Sequence, residues 1–391
     1  MMAALDKPVV VSMGAVTPLA EGAVEGAMLL RVGMTAISDT PRNDADGAPI
    51  MMGFLPTIAA DIEGDDRVAV LARRALVECR DRLERLTAHS SEGARKKRRM
   101  RVGIASLTSP NRRTPHVSAP IDLTIAAELR GFEPGPRWFG DWAELGTRDS
   151  LAEAVRWLRS GEADLVFWGG AHSDWSTERL RALDDRGDLY RLESLDAVIP
   201  GEGAAFLALT SESFATSIGA SPMARIEGSA SIAARGHVSG SHVSGSHVSG
   251  SHVSGSHVSG SHVAGSSDAS PDLGGFAEVL RKAVGSEPVI LGWVLSDLTF
   301  EAARLAEWEA MLIRAHDLLG RPYLIDNPCR RIGALGAAAI PMFAAFFVAS
   351  WASRMPASRS AAALDSTESG TRSAVWLTSL CPSPPSPPAG G

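Results

Sequence analysis

Residues 148–173, RDSLAEAVRWLRSGEADLVFWGGAHS, join a predicted amphipathic helix to a short strand with almost no polar residues. Ser150 and Glu153 have the S-x-x-E spacing of a capping box, and Gly161 ends the pattern. The helix is predicted from an apolar stripe at i, i+4 and i+7, formed by Leu151, Val155 and Leu158. The strand ADLVFWGGA is apolar at successive positions, as in strands that are buried on both faces of a sheet.

Strand-like and helix-like segments alternate along the rest of the chain, which predicts an α/β fold built around a layered sheet. The strand-like segments include PVVVSMGAV, RVGIASLTS, AVIPGEGAAFLALT, EPVILGWVLSD and TRSAVWLTS. The helix-like segments include AEGAVEGAMLL, RVAVLARRALVECRDRLERL, FAEVLRKAVG and FEAARLAEWEAMLIRAHDLL. We therefore expect two successive α/β halves, of which the second is shorter and less regular.

Composition narrows the functional classes. The 391 residues include 38 Lys and Arg against 45 Asp and Glu, a net charge of -7, which argues against a general nucleic-acid binder. Cys79, Cys329 and Cys381 are too few and too scattered for a disulfide framework or a zinc site. We expect no metal and no cofactor. The N-terminus lacks the pattern of a signal peptide, so a cytoplasmic location is expected.

The segment IGALGAAAIPMFAAFFVASWAS, residues 332–353, has no charged residue and is long enough to span a bilayer. It is rich in Ala and Gly and contains Pro341, and a helix buried in the middle of a layered fold has the same composition. We favour the buried helix and expect no membrane association.

A five-residue unit, HVSGS, repeats between the two halves. Six histidines recur in it, at His237, His242, His247, His252, His257 and His262. A weak metal-binding tract is one interpretation, because imidazole binds Zn, Ni and Cu. We favour a flexible insertion, because Gly and Ser dominate and no thiol or carboxylate cluster accompanies the histidines. The predicted organisation is an N-terminal half at 1–228, a linker at 229–272, a truncated and divergent C-terminal half at 273–380, and a proline-rich tail at 381–391.

Several segments together resemble the β-ketoacyl-acyl carrier protein synthases, the condensing enzymes of the thiolase superfamily. The matching segments, in order, are VVVSMGAVTPL, LLRVGMTAIS, RVGIASLTS, AVRWLRSGEADLVFWGGAHS and IPGEGAAFLAL. They cover most of residues 8–210, and the likeness is weak beyond. The resemblance implies a thiolase-like fold with layers α-β-α-β-α and two pseudo-symmetric halves. It also implies dimers, either a homodimer or a heterodimer with an active synthase.

The resemblance further implies a cysteine at the start of a buried helix, which takes up an acyl group as a thioester, and two histidines that assist decarboxylation and condensation. Spacing from Gly161 places the nucleophile position at Glu144, and a carboxylate is a poor acyl acceptor. The position of the first histidine falls at Ser296 or Asp297, and that of the second at Gly333. The chain is therefore divergent and lacks the Cys-His-His residues.

Other side chains could in principle replace the missing cysteine. Thr147 and Ser150 lie close to the nucleophile position, without an obvious base beside either. Cys79 is interpreted as a packing residue within a long helix, and His172, which follows a glycine pair at a strand end, as the one histidine of interest. Ser150 and Asp297 remain further catalytic candidates.

Two functions follow from this pattern. The first is a non-condensing accessory or binding subunit, a pseudoenzyme related to fatty-acid or polyketide synthesis. The alternative is an active acyltransferase, of the 3-oxoacyl synthase class, or a malonyl decarboxylase that uses non-standard residues. Acyl carrier protein is the expected partner, because the basic run EGARKKRRMR at 92–101 could bind an acidic protein. A solvated loop is the simpler interpretation of that run.

Overall fold

The fold is described from a computed structural model. The structure describes residues 7–87, 100–108, 124–142, 147–191, 196–233, 273–355, 357–367 and 369–382, without the side chains of residues 322 and 323.

Twelve strands are found in these residues. They are β1 (Val9–Val16), β2 (Ile37–Asn43), β3 (Pro49–Gly53), β4 (Arg101–Thr108), β5 (Glu133–Asp141), β6 (Leu165–Ser173), β7 (Glu202–Thr210), β8 (Ala224–Ile232), β9 (Leu291–Ser296), β10 (Leu319–Asp326), β11 (Ser360–Ser366) and β12 (Arg372–Ser379). The α-helices that we label are α1 (Ala23–Arg31), α2 (Gly64–Thr87), α3 (Thr147–Ser160), α4 (Thr177–Asp185), α5 (Glu212–Ser217), α6 (Gly275–Val284), α7 (Ala302–Arg314), α8 (Cys329–Ile332) and α9 (Ala339–Ala352).

Ten of the strands are linked in the order β10-β9-β11-β12-β8-β1-β7-β6-β4-β5, and β2 pairs with β3 separately. The five strands of each half follow the same order. Within each half the third strand pairs parallel to the second, the second parallel to the fourth, and the fourth and fifth pair antiparallel. The two sets of five meet through β1 and β8, at Val9↔Arg225 and Val10↔Ala224. This internal repetition confirms the predicted pseudo-symmetric halves.

Successive residues of the central strands pack into different apolar clusters, as the period of two requires. In β7, Leu207 and Leu209 face a central cluster, while Phe206 and Ala208 face a cluster that contains α2. In β11, the alternate residues Ala361 and Ala363 face the central cluster and Ala362 and Leu364 face a cluster that contains α6 and α7. The central cluster contains α3 and α9 and strands of both halves. The layers are therefore α2, first sheet half, α3 with α9, second sheet half, and α6 with α7, as predicted.

The uncharged segment forms α9, and every residue from Ala339 to Trp351 is buried. Pro341 lies in the first turn, where proline is tolerated because its missing N–H would have no helical acceptor there. The helix packs against α1 and strands of both halves, so the buried-helix interpretation is confirmed. Within the described residues, no helix is both long and apolar enough to cross a bilayer.

Three expectations differ from the structure. Helix α3 begins at Thr147, three residues before the predicted cap, and Ser150 lies inside it. The segment AVIPGEGAAFLALT was expected to be strand-like throughout, but only its second part forms a strand, β7, because the residues before it form one isolated bridge. Strand β8 runs to Ile232, past the boundary expected at residue 228, since it pairs with β12. The other domain boundaries stay predictions, and the histidine repeat lies outside the described residues.

Candidate functional site

A buried carboxyl lies at the start of α3, the helix that follows the nucleophile position. Asp365, at the end of β11, accepts a 2.5 Å hydrogen bond from Thr147 Oγ1 and a 3.3 Å hydrogen bond from Trp142 Nε1, both at Oδ2. Thr147 is the first residue of α3 and Trp142 follows β5, so two elements of the first half converge on one strand of the second. Successive side chains of a strand point to opposite faces. Leu364 faces the cluster of α6 and α7, so Asp365 points to the other face, toward the central layer, as Ala363 does.

The second oxygen of Asp365 has no hydrogen-bond partner. Oδ1 is buried and receives no hydrogen bond from the described residues, while the nearby Ser373 hydroxyl pairs with Ser231 Oγ at 3.0 Å. Burial raises the pKa of the Asp365 carboxyl to about 7, and the Asp297 charge adds to the rise. The hydrogen bonds from Thr147 and Trp142, together with the nearby Ser373 hydroxyl, oppose the rise in pKa. The carboxyl therefore changes its charge near neutral pH.

Asp297, one of the candidate residues, is the neighbour of Asp365. The preceding residues, Ser296 and Leu364, are partners in the parallel pairing of β9 with β11. Asp297 forms an ion pair with Arg304 and accepts a 3.1 Å hydrogen bond from the Ser366 amide. Burial raises its pKa, and Arg304 counteracts the rise. We call Asp297, Asp365, Thr147 and Trp142 the carboxyl site.

Of the remaining candidates near this site, Ser296 and Ser150 are both buried. Ser296 Oγ accepts a 3.2 Å hydrogen bond from the Leu298 amide. Ser150 Oγ donates to the Thr147 carbonyl at 2.9 Å and accepts from Trp168 Nε1 at 2.9 Å. The Ser150 hydroxyl is therefore held within the packing of α3 on β6. Glu144 lies outside the described residues, as does most of the basic run at 92–101.

Gly333, where the resemblance places the second histidine, lies in a segment packed backbone to backbone. Its φ is +79°, and a Cβ there would lie 2.3 Å from the Pro200 carbonyl oxygen. The next residue, Ala334, donates its amide to the Ile199 carbonyl at 2.8 Å. A Cβ on Gly53 would approach Ile332 within 2.0 Å. This backbone leaves no space for a side chain at Gly333.

None of the three cysteines has the environment of a nucleophile. Burial raises the pKa of Cys79 to about 12 and that of Cys329 well above its usual range, and both thiols are completely buried. Burial also raises the pKa of Cys381. Reactive cysteines require a lowered pKa and some exposure.

His172 lies apart from the carboxyl site, in a second buried polar cluster. Its Nε2 lies 3.2 Å from Asp174 Oδ2, and Asp174 also accepts from Arg179 and from the Gly201 amide. Burial opposes ionisation of Asp174, but His172 and Arg179 hold its pKa well below the usual range. His172 also packs against Gly336, where a Cβ would lie 2.5 Å from His172 Nδ1. In the described part of the chain, no three His, Cys, Asp or Glu residues are grouped to hold a metal ion.

The three-dimensional structure is similar to solved ketosynthases. The ketosynthase domain OzmH KS7 of oxazolomycin, from Streptomyces albus JA3453, aligns with a TM-score of 0.68 and 16% identity over 97% of this chain and 75% of that one. The ishigamide ketosynthase/chain length factor aligns with a TM-score of 0.68 and 17% identity over 96% and 99% of the two chains. The chain has the ketosynthase fold. The thiolase-like fold and the resemblance to condensing enzymes are therefore confirmed at the level of architecture.

One further ketosynthase-fold neighbour is a type II polyketide synthase complex, AntDE:AntF, in which an acyl carrier protein binds its ketosynthase carrying a hexaketide. It aligns with a TM-score of 0.67 and 14% identity over 96% of this chain and 100% of that one. Comparison of the sequence with models of protein families and with curated proteins gives no match.

Asp365 and its contact with Thr147 escaped the sequence analysis, which found no base beside Thr147. A signal existed, since SAAALDS places one carboxylate directly after an apolar run. The contact itself joins residues 218 positions apart and has no local signature.

Proposed function

We propose that this ketosynthase-fold protein is a non-condensing accessory or binding subunit related to fatty-acid or polyketide synthesis. The observation that carries the proposal is the absence of an activated thiol: the sequence has three cysteines, and burial raises the pKa of each one. Condensation through a thioester needs a thiolate. The chain thus has the ketosynthase fold without a cysteine suited to form the acyl thioester.

The position of the second histidine supports the same function. Gly333 lies where the resemblance assigns that histidine, and its Cβ would overlap the Pro200 carbonyl. A scaffold that retains its layers can still bind an acyl chain, an acyl carrier protein or a synthase subunit. A homodimer or a heterodimer with an active synthase, and acyl carrier protein as a partner, are part of this proposal.

The test is acyl loading and malonyl-acyl carrier protein turnover by the purified full chain, with an intact ketosynthase as positive control. We expect no covalent acyl-protein and no condensation product. A matched variant, Glu144→Ala, should behave as the unaltered chain does. Condensation by the unaltered chain at a rate above that of Glu144→Ala contradicts the proposal.

The contact between Thr147 and Asp365 favours one alternative, an acyltransferase or decarboxylase with non-standard residues. A hydroxyl within hydrogen-bond reach of a carboxyl that titrates near neutral pH is an arrangement used for nucleophilic catalysis. If the alternative holds, labelled acyl groups transfer to the protein and Thr147→Val abolishes the transfer. The exposed Thr216→Val serves as the matched control.

A further inference from the structure

Asp365 is the one carboxylate of the carboxyl site whose hydrogen bonds are incomplete. Oδ2 receives two hydrogen bonds, from Thr147 and Trp142. Oδ1 is buried and receives none from the described residues. A buried polar oxygen without a partner is costly, and such groups are usually satisfied by a ligand, an ion or water.

The proton of a neutral Asp365 belongs on Oδ1. Oδ2 already accepts from two donors, so a proton there would compete with Thr147 and Trp142. Asp297 is paired with Arg304 and stays close by, which disfavours a second negative charge on Asp365. The protonated Oδ1 is therefore an O–H donor without an acceptor among the described residues. Some enzymes keep a buried carboxylic acid neutral so that it can donate such a hydrogen bond to a carbonyl oxygen.

The surroundings of this donor indicate the class of ligand. The ring of Trp142 packs with Leu107 and Ala337, and this makes one wall of the site apolar. A cationic ligand would favour the ionised form of Asp365. An anionic ligand would be repelled by the charge of Asp297. A neutral carbonyl oxygen on an apolar chain fits both the donor and the wall.

We propose that Asp365 is a ligand-binding residue that donates a hydrogen bond from Oδ1 to the carbonyl oxygen of a bound acyl group. The proposal rests on the proposed function of a binding subunit and names the residue by which that subunit recognises its ligand. Asp365 touches the ligand, and Thr147 and Trp142 position the carboxyl.

The experiment measures binding of the octanoyl thioester of N-acetylcysteamine to the full chain by calorimetry, from pH 6 to pH 9. Octylamine, with the same chain length and a positive charge, is titrated in parallel. Binding of the thioester requires the protonated carboxyl, so we expect affinity to weaken at least fivefold between pH 6 and pH 9. Octylamine should not bind more tightly than the thioester at any pH.

Two variants separate the hydrogen bond from packing. Asp365→Asn keeps the acceptor toward Thr147 and presents a neutral N–H donor, so it should bind within about threefold of wild type with no pH dependence. Asp365→Leu should bind about fivefold more weakly at pH 6 and match wild type at pH 9. Asp188→Asn, at a partly exposed carboxylate paired with Arg186, is the matched control and should reproduce the wild-type curve.

Absence of thioester binding, a flat wild-type curve, a pH dependence that survives in Asp365→Asn, or preferred binding of octylamine each overturn the proposal. None of these outcomes bears on the proposal that the protein does not catalyse condensation. That proposal is tested separately by malonyl-acyl carrier protein turnover. Conversely, condensation by a chain that binds the thioester as described would overturn only the proposed accessory function.

Discussion

Thr147 donates a 2.5 Å hydrogen bond to Asp365 and thereby fastens the first turn of the central helix α3 to a strand of the opposite half. The two residues are buried, and the contact joins halves that also meet through the β1–β8 pairing and the central layer. The protonation state of Asp365 therefore affects a contact between the two halves.

Stability should depend on pH through Asp365. Its pKa is raised from 3.8 to about 7 by burial and the Asp297 charge, so the folded protein binds a proton that the unfolded chain has released. The free energy of unfolding therefore falls as pH rises from about 4 to about 7, by on the order of 4 kcal/mol, and then levels off. Urea unfolding across this range measures the effect.

Asp365→Asn removes the titrating group and should flatten this part of the profile, while Asp188→Asn should leave it as in wild type. Asp174 contributes with the opposite sign. His172 and Arg179 hold its pKa below the usual range, so its contribution is present above about pH 4 and is lost as the pH falls further. A profile that rises steadily from pH 4 to pH 7 would show that Asp365 is ionised throughout.

The ion pair of Arg67 with Glu202 should be essential for stability. Both side chains are completely buried, with Arg67 Nε 2.6 Å from Glu202 Oε2, and Arg67 also donates to the carbonyls of Leu55 and Ala59. Arg67→Met leaves a buried carboxylate without its counter-charge and should lower the free energy of unfolding by about 4 kcal/mol. Denaturant titration gives the value.

The control for this pair is Arg186→Met, because Arg186 pairs with Asp188 at 2.6 Å near the surface. Its loss should change the free energy of unfolding by less than about 1 kcal/mol. Equal effects of the two substitutions would mean that Arg67 and Glu202 are solvated in solution.

Strands and helices could be predicted from the sequence where the apolar residues follow one clear pattern. Strand β6 and helix α2 have clear apolar patterns, and both appear as expected. Strand β10 was missed because LGRPYLID mixes a proline with charged residues, and β11 because SAAALDS is rich in alanine, which has a low preference for strands.

The candidate site was less predictable than the fold, since its parts are brought together by tertiary structure. The resemblance to condensing enzymes indicated Ser296 and Asp297, and the structure places Asp297 beside Asp365 at the ends of two neighbouring strands. Asp365 was not singled out because the order of strands within the second half, which makes β11 the neighbour of β9, has no local sequence signal.

Gly333→Ala should be strongly destabilising. The new Cβ meets both the left-handed backbone, at φ +79°, and the Pro200 carbonyl oxygen at 2.3 Å. We expect a loss of about 3 kcal/mol in the free energy of unfolding, from conformational strain and overlap together. Thermal and urea unfolding of the purified variant measure it.

Gly187→Ala separates the two causes, because Gly187 has a φ of +72° and no atom within 4 Å of its Cβ position. It should lose only the conformational part, about 1 kcal/mol. If both alanine variants lose the same amount, the contact with Pro200 has no role in stability.

The thiols should be unreactive in the folded protein. Burial keeps Cys79 and Cys329 protonated at neutral pH, so alkylation by iodoacetamide should be at least about a hundredfold slower than for free cysteine. Mass spectrometry after timed labelling counts the modified residues. In urea all three cysteines should react, which is the internal control. Fast labelling of Cys79 or Cys329 in the native protein would contradict this prediction and support a cysteine nucleophile.

The backbone contact at Gly333 makes any side chain at this position incompatible with the present packing. A substitution that introduced a side chain there would have to displace the Pro200–Gly201 peptide. Main-chain packing at this position therefore restricts which residues the chain can accept there, independently of what the protein binds.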